Sequence, residues 1–315
     1  MKNTNGPVLP VPDSRGTGKI VKKREGSSRM FLLLPAFLLF FFIWAWLTSD
    51  FILFPRRDYL NVTPAQYGLA FEKIKFTTSD GLRINGFFIP AEKASGTIIV
   101  LHGQEDNKSE YLGVAAMFHR HHYNTLLFDF RAHGWTKGYC TLGALEVRDL
   151  DSAIDYLFTR PEIDKQKIGV IGFSMGAATA IAGTAKNSLI KAVAADSSFR
   201  CLKYIVPRYA RIFYHIPFPF LMVPGIWMAE LRADFRADEA DALRYIDQIS
   251  PRPVFLIGGE KDIRVPPENQ ELLFRKAGEP KQKWIVPGAG HVDAFESRPA
   301  EYEKKVAAFF DRYLK

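Results

Sequence analysis

Cysteine is nearly absent: Cys140 and Cys201 are the only two in 315 residues. That excludes a disulfide-stapled scaffold, and two thiols cannot build a zinc site. One disulfide between the pair and two free thiols both stay open, because spacing does not decide. The chain also lacks a His-Glu-x-x-His spacing, a P-loop and an internal repeat. It therefore offers no recognisable cradle for a metal, a nucleotide or another cofactor. A large charge excess is missing too. The net charge is +8, but residues 1–50 hold seven Lys or Arg against Asp13, Glu25 and Asp50, and so supply +4 of it. The other 265 residues, ample for one core, are only mildly basic, which argues against nucleic acid as a partner.

From Met30 to Ser49 there is no charged residue at all. As a helix this run covers about 30 Å, the hydrocarbon thickness of a bilayer. Seven Lys or Arg precede or open it (Lys2, Arg15, Lys19, Lys22, Lys23, Arg24, Arg29), whereas Asp50 and Asp58 balance Arg56 and Arg57 after it. The positive-inside bias predicts a cytosolic amino terminus. A cleaved signal peptide has a shorter apolar region, about 7–15 residues, and no small-x-small cleavage site follows Leu47. The expected organisation is a basic cytosolic tail (1–29), a single-pass signal anchor (30–49), a linker (50–70) and one domain (71–315). That domain is expected on the extracytoplasmic side, whether periplasmic, extracellular or luminal.

Gly172-Phe173-Ser174-Met175-Gly176 follows an apolar β-type run, Lys167 to Ile171, and precedes a small-residue helical stretch, Ala177 to Ile181. A G-x-S-x-G pentapeptide in that setting reads as a nucleophile elbow, a strained turn that lifts the serine hydroxyl above a sheet. A hydroxyl needs a base to take its proton and a carboxylate to hold that base in the right tautomer. Asp262 lies just past the apolar strand Pro253 to Ile257, with Glu260 a rival acid two residues away. His291 lies on a glycine-rich loop after the strand Lys283 to Val286. His119, His121 and His122 read instead as a solvated helix end.

In this order, Ser174, Asp262 and His291 make residues 71–315 resemble the α/β-hydrolase superfamily, in its membrane-associated serine-hydrolase branch. The resemblance implies an oxyanion hole from the backbone N–H groups of Met175 and Gln104, the latter on the His102-Gly103-Gln104 loop after the strand Thr97 to Leu101. This loop departs from the His-Gly-Gly-Gly form of many lipases, so that subtype's specificity is not carried over. His102 braces the loop, and Asn107 caps the next turn. The turn Asp129 to Gly134 also resembles the superfamily, where it is structural, so His133 has no catalytic role.

Alternating strand and helix patterns elsewhere predict an α/β fold, a mostly parallel doubly wound sheet with its ligand cleft at the strands' carboxyl ends. Glu72 to Phe76 and Leu82 to Pro90 form an antiparallel edge around Asp80-Gly81. Between Phe199 and Ile249 lies an irregular or helical cap with ten aromatic residues among 51. Phe213, Tyr214, Phe218, Phe220, Leu221, Met222 and Trp227 are expected either to wall an apolar substrate pocket or to form the cap's own core.

These readings predict a membrane-anchored serine hydrolase that cleaves carboxylic esters or thioesters, small-molecule or lipid, without a cofactor. Two other readings are open. A serine aminopeptidase of the same fold would need a carboxylate to grip an amine, for which Glu230, Asp234, Asp238 and Glu239 are candidates. A membrane-tethered binding module would keep the fold without turnover.

Overall fold

The computed structural model describes residues 26–60 and 62–315, so most of the predicted basic tail, residues 1–25, lies outside the described residues. A first helix, α1 (Gly26–Leu53), crosses the boundary between two units, one ending at Phe41 and one running from Phe42 to Lys315. In the first unit the side chains of residues 33–41 are exposed. Leu33–Leu53 is long and apolar enough to cross a membrane, with a mean hydropathy of 1.9.

The second unit is built on an eight-stranded sheet in the order β1-β2-β4-β3-β5-β6-β7-β8. Its strands are β1 (Glu72–Thr77), β2 (Arg83–Ile89), β3 (Gly96–Leu101), β4 (Tyr123–Phe128), β5 (Ile168–Phe173), β6 (Ile190–Asp196), β7 (Val254–Gly259) and β8 (Lys281–Val286). β1 and β2 pair antiparallel, β2 meets β4 antiparallel, and the remaining pairs are parallel. Every residue of β3, β4, β5 and β7 is buried. This is why these strands read as continuous apolar runs, since helices cover both faces of a parallel sheet.

One layer holds α3 (Glu146–Phe158) and α4 (Met175–Lys186); the other holds α2 (Leu112–Arg120) and the closing helix α8 (Pro299–Leu314). Strand β3 lies between β4 and β5, so the chain reverses its direction of travel there. Such a switch point opens a crevice outside the strands' carboxyl ends. Leu101 and Gly172 are register partners, so the loops after β3 and β5 emerge side by side at that crevice.

The cap lies between β6 and β7 and contributes α5 (Leu202–Phe213), α6 (Val223–Ala233) and the short α7 (Ala242–Tyr245), joined by 3-10 turns. Within the second unit, α1 does not end at residue 49. It runs on to Leu53, and Ala45, Thr48, Ser49, Ile52 and Leu53 are buried. The Trp44 indole N–H donates to the Leu221 carbonyl at 2.7 Å, and Arg232 donates to Ser49 Oγ and to Asp50. The last turns of α1 are thus packed protein structure, and part of the expected linker is helix.

Candidate active site

Ser174 stands between β5 and α4 with φ 51° and ψ −109°, a region that L-residues avoid. Two glycines make room for that turn. A Cβ on Gly172 would sit 2.1 Å from the Gly176 carbonyl oxygen, and one on Gly176 would sit 2.3 Å from the Leu101 carbonyl oxygen. The Ser174 N–H donates to the Asp196 carbonyl at 2.9 Å, pinning the elbow to the end of β6.

His291, on the loop after β8, reaches Ser174 Oγ with Nε2 at 2.9 Å and Asp262 Oδ2 with Nδ1 at 2.7 Å. Asp262 is 3% exposed, and its other oxygen accepts the N–H groups of Arg264 and Val265 at 2.9 and 2.8 Å. A carboxylate so held accepts from Nδ1–H, which leaves Nε2 as the acceptor for the serine proton. Glu260, the rival acid, is exposed and accepts the Gly288 N–H at 2.8 Å, bracing the loop. The geometry thus brings together Ser174, His291 and Asp262, not Glu260.

Met175 opens α4, where the first N–H groups have no intrahelical partner. Gln104 borders the same cavity as Ser174 and His291. Both expected oxyanion donors therefore sit on the loops that emerge side by side at the switch point. His102 is fully buried; it engages the Gly103 carbonyl through Nδ1 at 2.7 Å and accepts the Phe130 N–H at 3.0 Å. Burial, reinforced by the neighbouring His133, pushes its pKa down, which keeps it a neutral brace. His133 engages the Arg131 carbonyl at 2.8 Å, away from Ser174. Asn107 caps the following 3-10 turn by accepting the Ser109 N–H at 2.8 Å.

Two hollows meet beside Ser174. A polar one is bordered by Ser174, His291, Gln104, Asp106, Glu110, Arg264 and Glu296. A mainly apolar one is bordered by Phe51, Ile52, Glu105, Leu142, Ile205, Val206, Ala210, Tyr214 and Met222. Gln104 and Tyr209 border both. Burial pushes the Tyr209 hydroxyl up to about 12, so it stays neutral at the junction.

The expected apolar wall is met in part: Tyr214 and Met222 border the apolar hollow, and the aromatics around them require correction. Phe213, Phe218, Phe220 and Trp227 are exposed, and none borders either hollow. Nor do they form a cap core. On α6 the buried residues are Gly225, Ile226, Met228 and Ala229, which leaves Trp227 and Leu231 on the other face. In the 3-10 turn before it, only Met222 turns inward. The apolar hollow is bordered mainly by the inner face of α5 and by Phe51 and Ile52 of α1, which fall in the expected linker. Arg208 donates to the carbonyls of Ile263 and Arg264 and so ties α5 to the Asp262 loop.

Both cysteines are free. Cys140 is buried with Sγ 3.6 Å from Met175 Sδ, and Cys201 is half-buried. Among the described residues no group of three His, Cys, Asp or Glu is placed to hold a metal ion. Glu230 accepts the Ala237 N–H and Asp238 pairs with Arg236 and Arg244. Neither these nor Asp234 and Glu239 border the hollows beside Ser174.

The family model described as the alpha/beta hydrolase family matches residues 98–305. The uncharacterized protein YfhR of Escherichia coli is 31% identical over 247 residues, covering 76% of this chain and 80% of that protein. Protein bem46 of Schizosaccharomyces pombe is 28% identical over 237 residues, covering 73% of this chain and 74% of that one. Among solved structures, the Pyrococcus furiosus esterase Pf2001 superposes with a TM-score of 0.71 at 29% identity, covering 84% of this chain and 99% of that one.

Proposed function

Because this chain belongs to the alpha/beta hydrolase family, we propose that it cleaves carboxylic esters or thioesters through an acyl-Ser174 intermediate. The observation that carries this reading is the position of His291, 2.9 Å from Ser174 Oγ and 2.7 Å from Asp262. His291 Nε2 takes the hydroxyl proton as Ser174 Oγ attacks the carbonyl carbon. Asp262 holds Nδ1–H and stabilises the imidazolium. The N–H groups of Met175 and Gln104 hold the oxyanion. His291 then gives its proton to the departing alcohol or thiol. A water, deprotonated by the same imidazole, releases the acid and restores Ser174.

The solved esterase of similar structure supports ester cleavage. The apolar hollow beside Ser174 supports an apolar acyl group, from a small ester or a lipid. The peptidase reading has lost the four carboxylates on which it stood. The test compares p-nitrophenyl acyl esters with aminoacyl arylamides on the purified full chain. Higher kcat/KM for the esters is expected, and faster arylamide cleavage would overturn the ester assignment.

The same reading makes α1 a single-pass anchor, with residues 1–29 cytosolic and the domain on the far side. Its support is the uncharged run Met30–Ser49, exposed over residues 33–43, and the seven Lys or Arg among residues 1–29. A membrane-impermeant lysine reagent applied to intact cells should label the domain and spare the tail. Labelling of the tail alone would reverse the topology.

A further inference from the structure

We propose that the apolar hollow beside Ser174 is the acyl subsite, and that Phe51 on α1 and Tyr214 at the end of α5 set the chain length it accepts. The proposal rests on the acyl-Ser174 reading and adds to it a specificity device made partly from the amino-terminal helix. The hollow begins at Gln104 and Tyr209, which it shares with the cavity holding Ser174 and His291. Apart from Glu105, which is exposed, the sides beyond them are apolar: Ile52, Leu142, Ile205, Val206, Ala210 and Met222. An acyl chain leaving the Ser174 ester on this side meets carbon surface, whereas a charged or strongly polar chain would lose its hydration without a partner.

Phe51 and Tyr214, with ring centroids 4.5 Å apart, also border it, beside Glu105. The same two residues, with Glu105, also border an outer groove that includes Asp50, Phe54 and Arg56. The aromatic pair is therefore a partition between the inner hollow and the surface. The other side chains of the hollow differ from it in burial. Ile52, Leu142 and Met222 are at most 4% exposed, whereas Phe51 is 42% and Tyr214 51% exposed. Packed side chains fix the sides, and the aromatic pair is free to change rotamer.

Helix α1 is held firmly enough to serve as a wall. Beyond the Trp44 and Arg232 contacts, the Cys140 N–H donates to the Leu53 carbonyl at 3.1 Å. A Cβ on Gly225 would lie 2.4 Å from Thr48 Oγ1, so α6 and α1 touch backbone to side chain. The end of α1, read from sequence as the start of a linker, thereby joins the proposed site.

The experiment measures kcat/KM for p-nitrophenyl esters from acetyl to palmitoyl on the full-length chain in detergent, each normalised to the acetyl ester of the same enzyme. The wild type should gain about fourfold per added methylene until the chain meets the aromatic pair, and then stop gaining. Phe51→Ala and Tyr214→Ala should each move that limit to longer chains. Ala210→Leu, which narrows the hollow from inside, should move it to shorter ones. Profiles that coincide in the wild type and both alanine variants would overturn the proposal, whether or not Ala210→Leu folds. Fluorophosphonate labelling of wild-type Ser174 separates the two claims: coincident profiles with labelling intact reject only the subsite, and absent labelling rejects the acyl-serine reading and the subsite with it.

Discussion

Val292 donates its N–H to the hydroxyl of Ser197 at 3.1 Å, and both residues hold positive φ, 56° and 58°. This bond joins the loop that carries His291 to the end of β6, beside the point where the Asp196 carbonyl holds the Ser174 N–H. Two strained backbones are thereby locked against each other, so the imidazole and the hydroxyl inherit a fixed separation. Ser197→Ala removes the lock without touching the reacting groups. We expect kcat to fall roughly 10- to 100-fold with KM little changed, as for a small misplacement of a catalytic group. Stopped-flow and steady-state ester kinetics check it, and a wild-type kcat would show that the loop needs no such tie.

Asp196 is buried at the end of β6, where its Oδ1 accepts the Ser197 hydroxyl at 3.0 Å and its Oδ2 has no partner among the described residues. Burial pushes this carboxyl up to about 6, against the opposing effect of the Ser197 bond. The folded chain therefore keeps a proton that an unfolded Asp releases near pH 4. Stability from this group is complete below about pH 4 and is lost as pH rises through about 6. Asp196→Asn should abolish that slope, changing the stability difference from wild type by about 3 kcal/mol between pH 4 and 7. Asp149, also pushed up to about 6 by burial, contributes equally to both proteins and cancels. Thermal unfolding across that range checks it, and parallel curves would contradict it.

The acid of the relay is separable by substitution. Asp262→Asn keeps the shape but favours the wrong imidazole tautomer, and kcat should fall roughly 10⁴-fold. Glu260→Gln, which alters only an exposed bond to the Gly288 N–H, should leave kcat near wild type. The reverse ranking would move the acid to Glu260.

The elbow glycines are structural to a degree that Ser174 is not. Gly176→Ala drives a methyl to 2.3 Å from backbone oxygen of β3, and neither partner is able to move away. A loss of about 3 kcal/mol or more is expected, visible as a lowered Tm by circular dichroism. Ser174→Ala should melt as the wild type does, because a smaller side chain meets no clash.

The sheet and the three facing residues were legible because parallel strands announce themselves as apolar runs, and a catalytic loop must follow a strand's carboxyl end. Ser174, Asp262 and His291 each sit within a few residues of such an end, so chain order alone grouped them. Ser197 and Asp196 occupy an equivalent position after β6, and that position was the available signal. The cap resisted the same reasoning. Its aromatics are spaced closely enough to suit an inner or an outer face, and only the packing of Ile226 and Ala229 shows which face Trp227 takes. Helix α1 misled for a different reason: an apolar run satisfies lipid and protein alike. Its polar pair, Thr48 and Ser49, marked the packed turns, where Thr48 donates to the Trp44 carbonyl at 2.7 Å and Ser49 meets Arg232.

The most direct measurement of the central claim is the intact mass of the full-length chain after incubation with a fluorophosphonate, followed by peptide mapping. The expected result is one phosphonyl adduct on the peptide carrying Ser174, lost in Ser174→Ala and greatly slowed in His291→Ala. An unmodified Ser174 peptide in protein that still turns over ester would contradict the account.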